Sequence, residues 1–294
     1  MDIPVARLPS GRVRERTPHA DAAIAGPAGA CAVLLGAAIS TVGISWDVEW
    51  HRDVGPDTLF PLPHLVLYSG SALAGIASLA MVLLTTSMQR AGRPVPPWMG
   101  GTPVRVFGGI FTAPLGYLVS GIGAASFLIY GLLDLVWHSI YGFDAVLSTP
   151  SHVALFLSIS ITMIGTVIAF AGAREQRWGP IGVVLAIPIL MLFAPIPVNA
   201  LNNVTLPVNP VVVGIVLFTP LLLLIGAGVL QRAGAAVAIA VTLGTLSIAA
   251  IPHGPRVEGA QSSDPCYPQQ LRGSGGSQDG KNGTGPLLPR SSVQ

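Results

Sequence analysis

Four long runs of residues without a charged side chain constrain this chain more than any other feature. They are Ala22–Trp46, Leu65–Gln89, Val106–Leu133 and Val153–Ala173. Because a helix needs about 20 mainly apolar residues to cross the hydrocarbon core of a bilayer, each run predicts one membrane-spanning helix. Only 10% of all residues are charged, against about 25% in soluble domains. The sequence therefore predicts an all-α integral membrane protein.

Three further spans follow in the second half of the chain. Residues Trp178–Gln231 contain no charge, but Ala194–Pro210 is rich in Pro and Asn, which interrupt a helix within a membrane. We therefore expect two spans here, and a seventh over Ala233–Ile251. The predicted organisation is an N-terminal segment at 1–21, a transmembrane domain of about seven helices at 22–251, and a tail at 252–294.

The distribution of arginine predicts the orientation in the membrane, because short loops rich in Lys and Arg stay in the cytoplasm. With a cytoplasmic N-terminus, the outer loops before the tail carry only Arg52. The inner segments carry Arg7, Arg12, Arg14, Arg16, Arg90, Arg93, Arg105, Arg174, Arg177 and Arg232. We therefore expect a multi-pass protein of the cell membrane with an extracytoplasmic C-terminus. The Gly- and Ser-rich composition of the tail is typical of disorder.

Two segments between spans repeat one pattern of polar residues. They read "DVEWHRDVGPDTLFPLPH" at 47–64 and "DLVWHSIYGFDAVLSTPSH" at 134–152. The matching positions are Asp47, Trp50, His51, Gly55, Asp57 and His64 in the first segment and Asp134, Trp137, His138, Gly142, Asp144 and His152 in the second. Each segment follows an odd-numbered span. The pattern therefore indicates a duplicated two-helix hairpin, with units at 22–89 and 106–173, and we expect the two units to pack side by side. Small residues would allow their close approach: Gly70, Gly75, Gly121 and Gly123.

The spacing within each segment predicts a metal site. An Asp and a His four residues apart lie on one face of a helix. The closing His follows a Pro, which is tolerated at the start of a helix, and we expect the next helix to begin at that His. Closure of each hairpin would bring that His back beside the first two side chains. The resulting candidate ligands are Asp47, His51 and His64 in one unit and Asp134, His138 and His152 in the other. Two imidazoles and one carboxylate suit copper, zinc or iron(II).

Simpler interpretations exist for the same residues. Trp50 and Trp137 fit the aromatic belt of a membrane interface, although they can also support a metal ligand. Asp57 and Asp144 each stand two residues after a glycine, where an acidic residue favours a turn, and they can alternatively orient an imidazole. The Asp/His/His sets themselves could be interfacial hydrogen-bond networks, but ionisable groups at membrane depth are costly and usually functional.

The spacing Asp47-x3-His51-x12-His64 resembles the Asp/His/His copper-ligand pattern in one membrane-embedded polypeptide of the copper membrane monooxygenases, the particulate methane and ammonia monooxygenase family. The resemblance implies copper at these three residues, on the extracytoplasmic side, and a complex with other membrane subunits. The second copy, Asp134-x3-His138-x13-His152, is one residue longer.

Three functions remain open. The first is a monooxygenase subunit in which copper activates dioxygen beside an apolar substrate from the bilayer. The second is a metal transporter, or a metal donor for a membrane oxidase, although the absence of charges within the spans argues against an ion path. The third is haem bound between spans by a pair of histidines. The lipid bilayer is the expected partner, and nucleic acid is not expected.

Overall fold

The computed structural model describes residues 18–53, 60–142, 147–203 and 207–249, with the backbone alone for residues 18–23, 51–53, 202–203 and 249. The helices of this part of the chain are α1 (Pro18–Asp53), α2 (Leu62–Arg90), α3 (Leu115–Tyr141), α4 (Pro150–Gly172), α5 (Trp178–Phe193), α6 (Pro210–Leu230) and α7 (Ala235–Ala249). Two strands, β1 (Pro103–Val106) and β2 (Phe111–Pro114), lie between α2 and α3.

The predicted all-α membrane protein is confirmed. Among the described residues, six helices are long and apolar enough to cross a membrane. The Pro- and Asn-rich segment interrupts the apolar run as predicted, and part of it, Ile196–Asn203, forms a 3-10 helix between α5 and α6. The seventh helix has 15 described residues, which cover about 22 Å at 1.5 Å per residue. The described part of α7 is therefore shorter than a full span. The predicted tail lies outside the described residues.

The two helix pairs share a close backbone contact outside the repeated motif. A Cβ atom on Gly36 of α1 would stand 2.8 Å from the backbone N of Ala74 in α2. At the equivalent place in the second unit, a Cβ on Gly123 of α3 would stand 2.5 Å from the backbone N of Thr162 in α4. Only glycine allows backbones to approach so closely. Both hairpins are therefore closed by the same type of contact at matching positions.

The first four helices form a closed ring, in which α1 packs against α2, α2 against α3, α3 against α4 and α4 against α1. The two units therefore lie side by side, as predicted. Gly75 and Gly121 lie between the units, and a Cβ on Gly75 would be 3.4 Å from the Cβ of Ala124. Gly70 and Gly123 instead face the partner helix of their own hairpin. Helix α5 packs against α1 and α4, and α6 and α7 pack against α5.

Both repeated motifs lie at the same end of this ring, which we call the motif end. Tyr68 stands one turn after His64 at the start of α2. Its ring lies 5.9 Å from the ring of Phe127 in α3. A Cβ on Gly131, one turn before Asp134, would be 3.5 Å from Cε1 of Tyr68. The start of α2 therefore lies beside the end of α3, which carries the second motif.

A short β-hairpin occupies the opposite end of the ring, where the sequence predicted a loop followed by the start of a helix. Strand β1 pairs antiparallel with β2, with Pro103 opposite Pro114. The run Val106–Leu133 was predicted to be one span, but α3 begins only at Leu115. Pro114, and Gly108 and Gly109 in the turn between the strands, oppose a continuous helix. We call this end, from Arg90 to Leu115, the hairpin end.

Candidate metal centre

Three of the predicted ligands converge at the motif end of the second unit. Asp134 and His138 project from the end of α3, and His152 projects from the first turn of α4. Oδ1 of Asp134 lies 3.5 Å from Nε2 of His138 and 3.5 Å from Nε2 of His152. The two imidazole rings are 5.5 Å apart between centroids, and one ligand atom from each side chain falls within 4.8 Å of the others. The hairpin therefore closes as the spacing predicted.

The end of α3 orients His138. Gly142 follows the helix with φ 81° and ψ 170°, a backbone conformation that is essentially restricted to glycine. Its carbonyl oxygen lies 3.1 Å from Nδ1 of His138. Because a carbonyl oxygen only accepts hydrogen bonds, Nδ1 is the donor in this contact. In the neutral imidazole, Nε2 then carries the lone pair and faces Asp134.

The start of α4 orients His152 in a comparable way. Thr149 immediately precedes the helix, and its Oγ1 lies 2.8 Å from Nδ1 of His152. This contact leaves Nε2 directed towards Asp134. The helix begins at Pro150, and α2 likewise begins at Leu62, so each helix starts two residues before its histidine rather than at the histidine. Each histidine therefore lies within the first turn of its helix.

Oδ1 of Asp134 faces both Nε2 atoms without a hydrogen bond to either of them. Oδ1 of Asp134 is buried and has no hydrogen-bond partner in the described part of the chain. The side chains are partly buried, with 16% of Asp134, 19% of His138 and 18% of His152 exposed. A carboxylate oxygen beside two Nε2 atoms is favourable when a metal ion, or a proton on a ring nitrogen, lies between them.

The separation of the ligand atoms agrees with such a metal ion. Metal bonds of about 2.0–2.1 Å in a tetrahedral site place neighbouring ligand atoms about 3.3–3.4 Å apart. The two distances of 3.5 Å from Asp134 are close to this value. Contacts from the second ring nitrogens to protein groups are the usual way in which metal-binding histidines are oriented. The donor set therefore fits a transition metal with at least one coordination position open.

The first unit shows a related but different arrangement. Oδ1 of Asp47 lies 2.9 Å from Nε2 of His64, so the hairpin again returns the closing histidine to the aspartate. His51 lies in α1, but its side chain is outside the described residues, and its ligand role stays a prediction. Position 61 is Pro where the second unit has Thr149. The hydroxyl that orients His152 is therefore not repeated.

The neighbouring tryptophans are in matching environments. In the described part of the chain, Nε1 of Trp50 and Nε1 of Trp137 are both buried without a hydrogen-bond partner. The ring of Trp137 also packs against Tyr141 at 4.4 Å between centroids. Asp57 and Asp144 lie outside the described residues.

Two groups that orient the histidines of the second site were not predicted from the sequence. The Gly142 carbonyl belongs to a glycine that both motifs share, and this repetition was the signal for its role. Thr149 stands just before the proline of α4, where a hydroxyl is a common partner for the first turn. That its hydroxyl contacts an imidazole, at 2.8 Å, depends on the rotamer of His152.

Comparisons with known proteins find no match to a protein-family profile, to a curated protein or to a solved structure. The similarity to the copper membrane monooxygenases therefore rests on the spacing of the motif alone.

Proposed function

We propose that this membrane protein binds a transition-metal ion through Asp134, His138 and His152. The observation that carries the proposal is the convergence of one carboxylate oxygen and two Nε2 atoms, with 3.5 Å between Asp134 Oδ1 and each nitrogen. Both Nδ1 atoms are already engaged, by the Gly142 carbonyl and the Thr149 hydroxyl. The site is thus oriented for an ion before the ion arrives.

Copper is the first candidate for the ion, with zinc and iron(II) as alternatives. Two imidazoles and one carboxylate bind all three metals, and the Irving–Williams order ranks copper(II) above the other divalent ions. The resemblance of the first unit to a copper site supports the same choice, since the second unit repeats that pattern with one extra residue before His152. Three protein ligands leave a position for an exogenous molecule, as catalytic metal sites do.

The surroundings favour oxidation of an apolar molecule over transport of the metal. Leu132, Leu133 and Ile140 of α3 are 62%, 50% and 67% exposed, so apolar side chains next to the site face the bilayer. A lipid-soluble substrate can therefore approach from the side. The residues 65–89, 115–133 and 153–172 contain no Asp, Glu, His, Lys or Arg, whereas an ion path usually includes such groups. We infer a resident metal centre in one polypeptide of a copper-dependent membrane monooxygenase.

Metal analysis of the full-length protein in lipid nanodiscs tests the metal proposal. Copper-loaded protein should show nitrogen couplings in its electron paramagnetic resonance spectrum, and Asp134→Asn or His138→Ala should remove about one metal equivalent. Ser139→Ala is the matched control, because Ser139 is exposed and its hydroxyl donates to the Val136 carbonyl at 2.7 Å. Equal metal content in all three variants would refute the proposal.

The oxidative role has a separate test. Affinity-tagged protein purified from its native membrane should bring further membrane subunits with it, and the complex should oxidise a small apolar substrate only when the metal is present. Metal that passes readily to a second membrane protein, without oxidation of substrate, would instead show a metal donor.

A further inference from the structure

The tip of the β-hairpin exposes apolar side chains in an unusual backbone conformation. The tip consists of Phe107, Gly108, Gly109 and Ile110, all of which are exposed. Phe107 is 78% exposed and Ile110 57% exposed. Phe107 also adopts φ 50°, a left-handed conformation that is unfavourable for a bulky residue. The Phe107 ring contacts the ring of Phe111 edge to face, at 6.3 Å between centroids, but most of its surface stays exposed and its backbone conformation is unfavourable.

The hairpin is held at a defined level along α2. Oγ1 of Thr85 donates to the Thr112 carbonyl at 2.8 Å, and the Thr112 N–H donates to Oγ1 of Thr86 at 3.0 Å. One turn further along α2, a guanidinium nitrogen of Arg90 donates to the Ile110 carbonyl at 2.9 Å. The base of the hairpin therefore lies beside the last apolar turns of α2. Its tip lies level with Arg90, where the span ends.

Three arginines lie at this end of the protein, and we call them the cationic rim. Arg90 contacts the tip directly, Arg105 is exposed on β1, and Arg93 is exposed in the turn after α2. The described segment from Leu62 to Tyr141 contains only one acidic residue, Asp134, which lies at the motif end. A cationic rim around exposed aromatic and aliphatic side chains is typical of segments that lie in a membrane interface and bind anionic lipids.

We propose that the tip, Phe107–Ile110, is an interfacial anchor that inserts its two apolar side chains into the headgroup region of an anionic bilayer surface. The arginines of the rim bind the lipid phosphates, and the two glycines allow the turn that leaves most of Phe107 exposed. Because the hairpin joins the two repeated units, the anchor sets the level of α2 and α3 in the bilayer.

Site-specific fluorescence in nanodiscs tests the anchor. In a full-length Cys31→Ser, Cys266→Ser background, Phe107→Cys and Ile110→Cys are each labelled with a polarity-sensitive fluorophore. Nanodiscs of phosphatidylcholine are compared with nanodiscs that also contain phosphatidylglycerol. The emission maximum of the label at both positions should shift to shorter wavelength when phosphatidylglycerol is present. Lipids that carry a nitroxide near the headgroup should quench the fluorescence of both labels. Arg105→Gln should raise the anionic lipid content required for half of the shift by about fivefold.

Ala91→Cys is the matched control, since Ala91 is exposed at the same end of the protein but outside the tip. Its label should respond to aqueous iodide and not to phosphatidylglycerol. Labels at 107 and 110 that behave like the control would overturn the proposal. Protection of the labels at 107 and 110 from aqueous iodide that persists in lipid-free detergent, and rises with protein concentration, would also overturn the proposal. A second copy of the chain would then cover the tip.

Discussion

Gly142 and His138 hold each other through two hydrogen bonds across the end of α3. The Gly142 N–H donates to the His138 carbonyl at 3.1 Å, and Nδ1 of His138 donates to the Gly142 carbonyl at 3.1 Å. The first bond ends the helix and the second fixes the imidazole. The same glycine therefore terminates a membrane span and directs Nε2 of His138 towards Asp134.

Substitution of this glycine should weaken metal binding without removing a ligand. In Gly142→Ala the side chain opposes φ 81° and ψ 170°, so the carbonyl should turn away from His138. We expect a loss of about 10–100-fold in metal affinity, measured by competition with a chelator. Gly92→Ala is the control, because Gly92 also has a positive φ of 70° but lies at the hairpin end. An equal loss in both variants would indicate a general effect on folding.

The hydroxyl of Thr149 should matter for His152 in the same way. Thr149→Val keeps the shape of the side chain but removes the group that lies 2.8 Å from Nδ1. We expect a loss of affinity of about 10-fold or more, whereas Thr149→Ser should bind as the parent does. Chelator competition with both variants measures the difference. If the serine variant lost as much affinity as the valine variant, the hydroxyl would not be the cause.

Each repeated unit should bind one metal ion. His51→Ala should remove the equivalent held with Asp47 and His64, and His51→Ala combined with His138→Ala should remove both. Elemental analysis of the purified protein gives the stoichiometry. Full metal content in the double variant would mean that the histidines serve an interfacial hydrogen-bond network instead.

The glycine contacts that close the hairpins should be essential for stability. Gly123→Ala places a Cβ 2.5 Å from the backbone N of Thr162, and the resulting displacement of α3 from α4 should cost about 1–3 kcal/mol. Gly244→Ala in α7 meets nothing within 4 Å and should be neutral or slightly stabilising. Thermal unfolding in a mild detergent compares the two. Equal melting temperatures would contradict the packing described for α3 and α4.

The predicted orientation places both motifs outside the cell. Thr58→Cys and Ala145→Cys, in the segments between the paired helices, should react with an impermeant thiol reagent in intact cells that carry no other cysteine in this protein. Arg93→Cys at the hairpin end should react only after the cells are opened. The reverse labelling pattern would place the motifs in the cytoplasm.

The spans and the duplication could be predicted because they depend on properties close together in the chain. A run of apolar residues such as Leu65–Gln89 specifies a helix in a bilayer wherever it packs, since the helix satisfies its own backbone hydrogen bonds. The four-residue spacing of Asp134 and His138 likewise fixes a shared helical face. The repeated Asp, His and Gly positions then indicated which ends of the spans carry chemistry.

The β-hairpin and the orientation of the histidines could not be predicted from the sequence, because they depend on the folded structure. Apolar composition alone does not separate a short strand from a helix, so Phe111–Pro114 was included in a predicted span, although Thr85 and Thr86 bind it as a strand. The roles of the Gly142 carbonyl and the Thr149 hydroxyl also required the rotamers of two histidines. Local patterns were thus sufficient to predict the spans, the repeat and the candidate ligands, but not the residue at which α3 begins. The distances between those ligands became visible only in the folded chain, because the 3.5 Å between Asp134 and His152 depends on how α3 packs against α4.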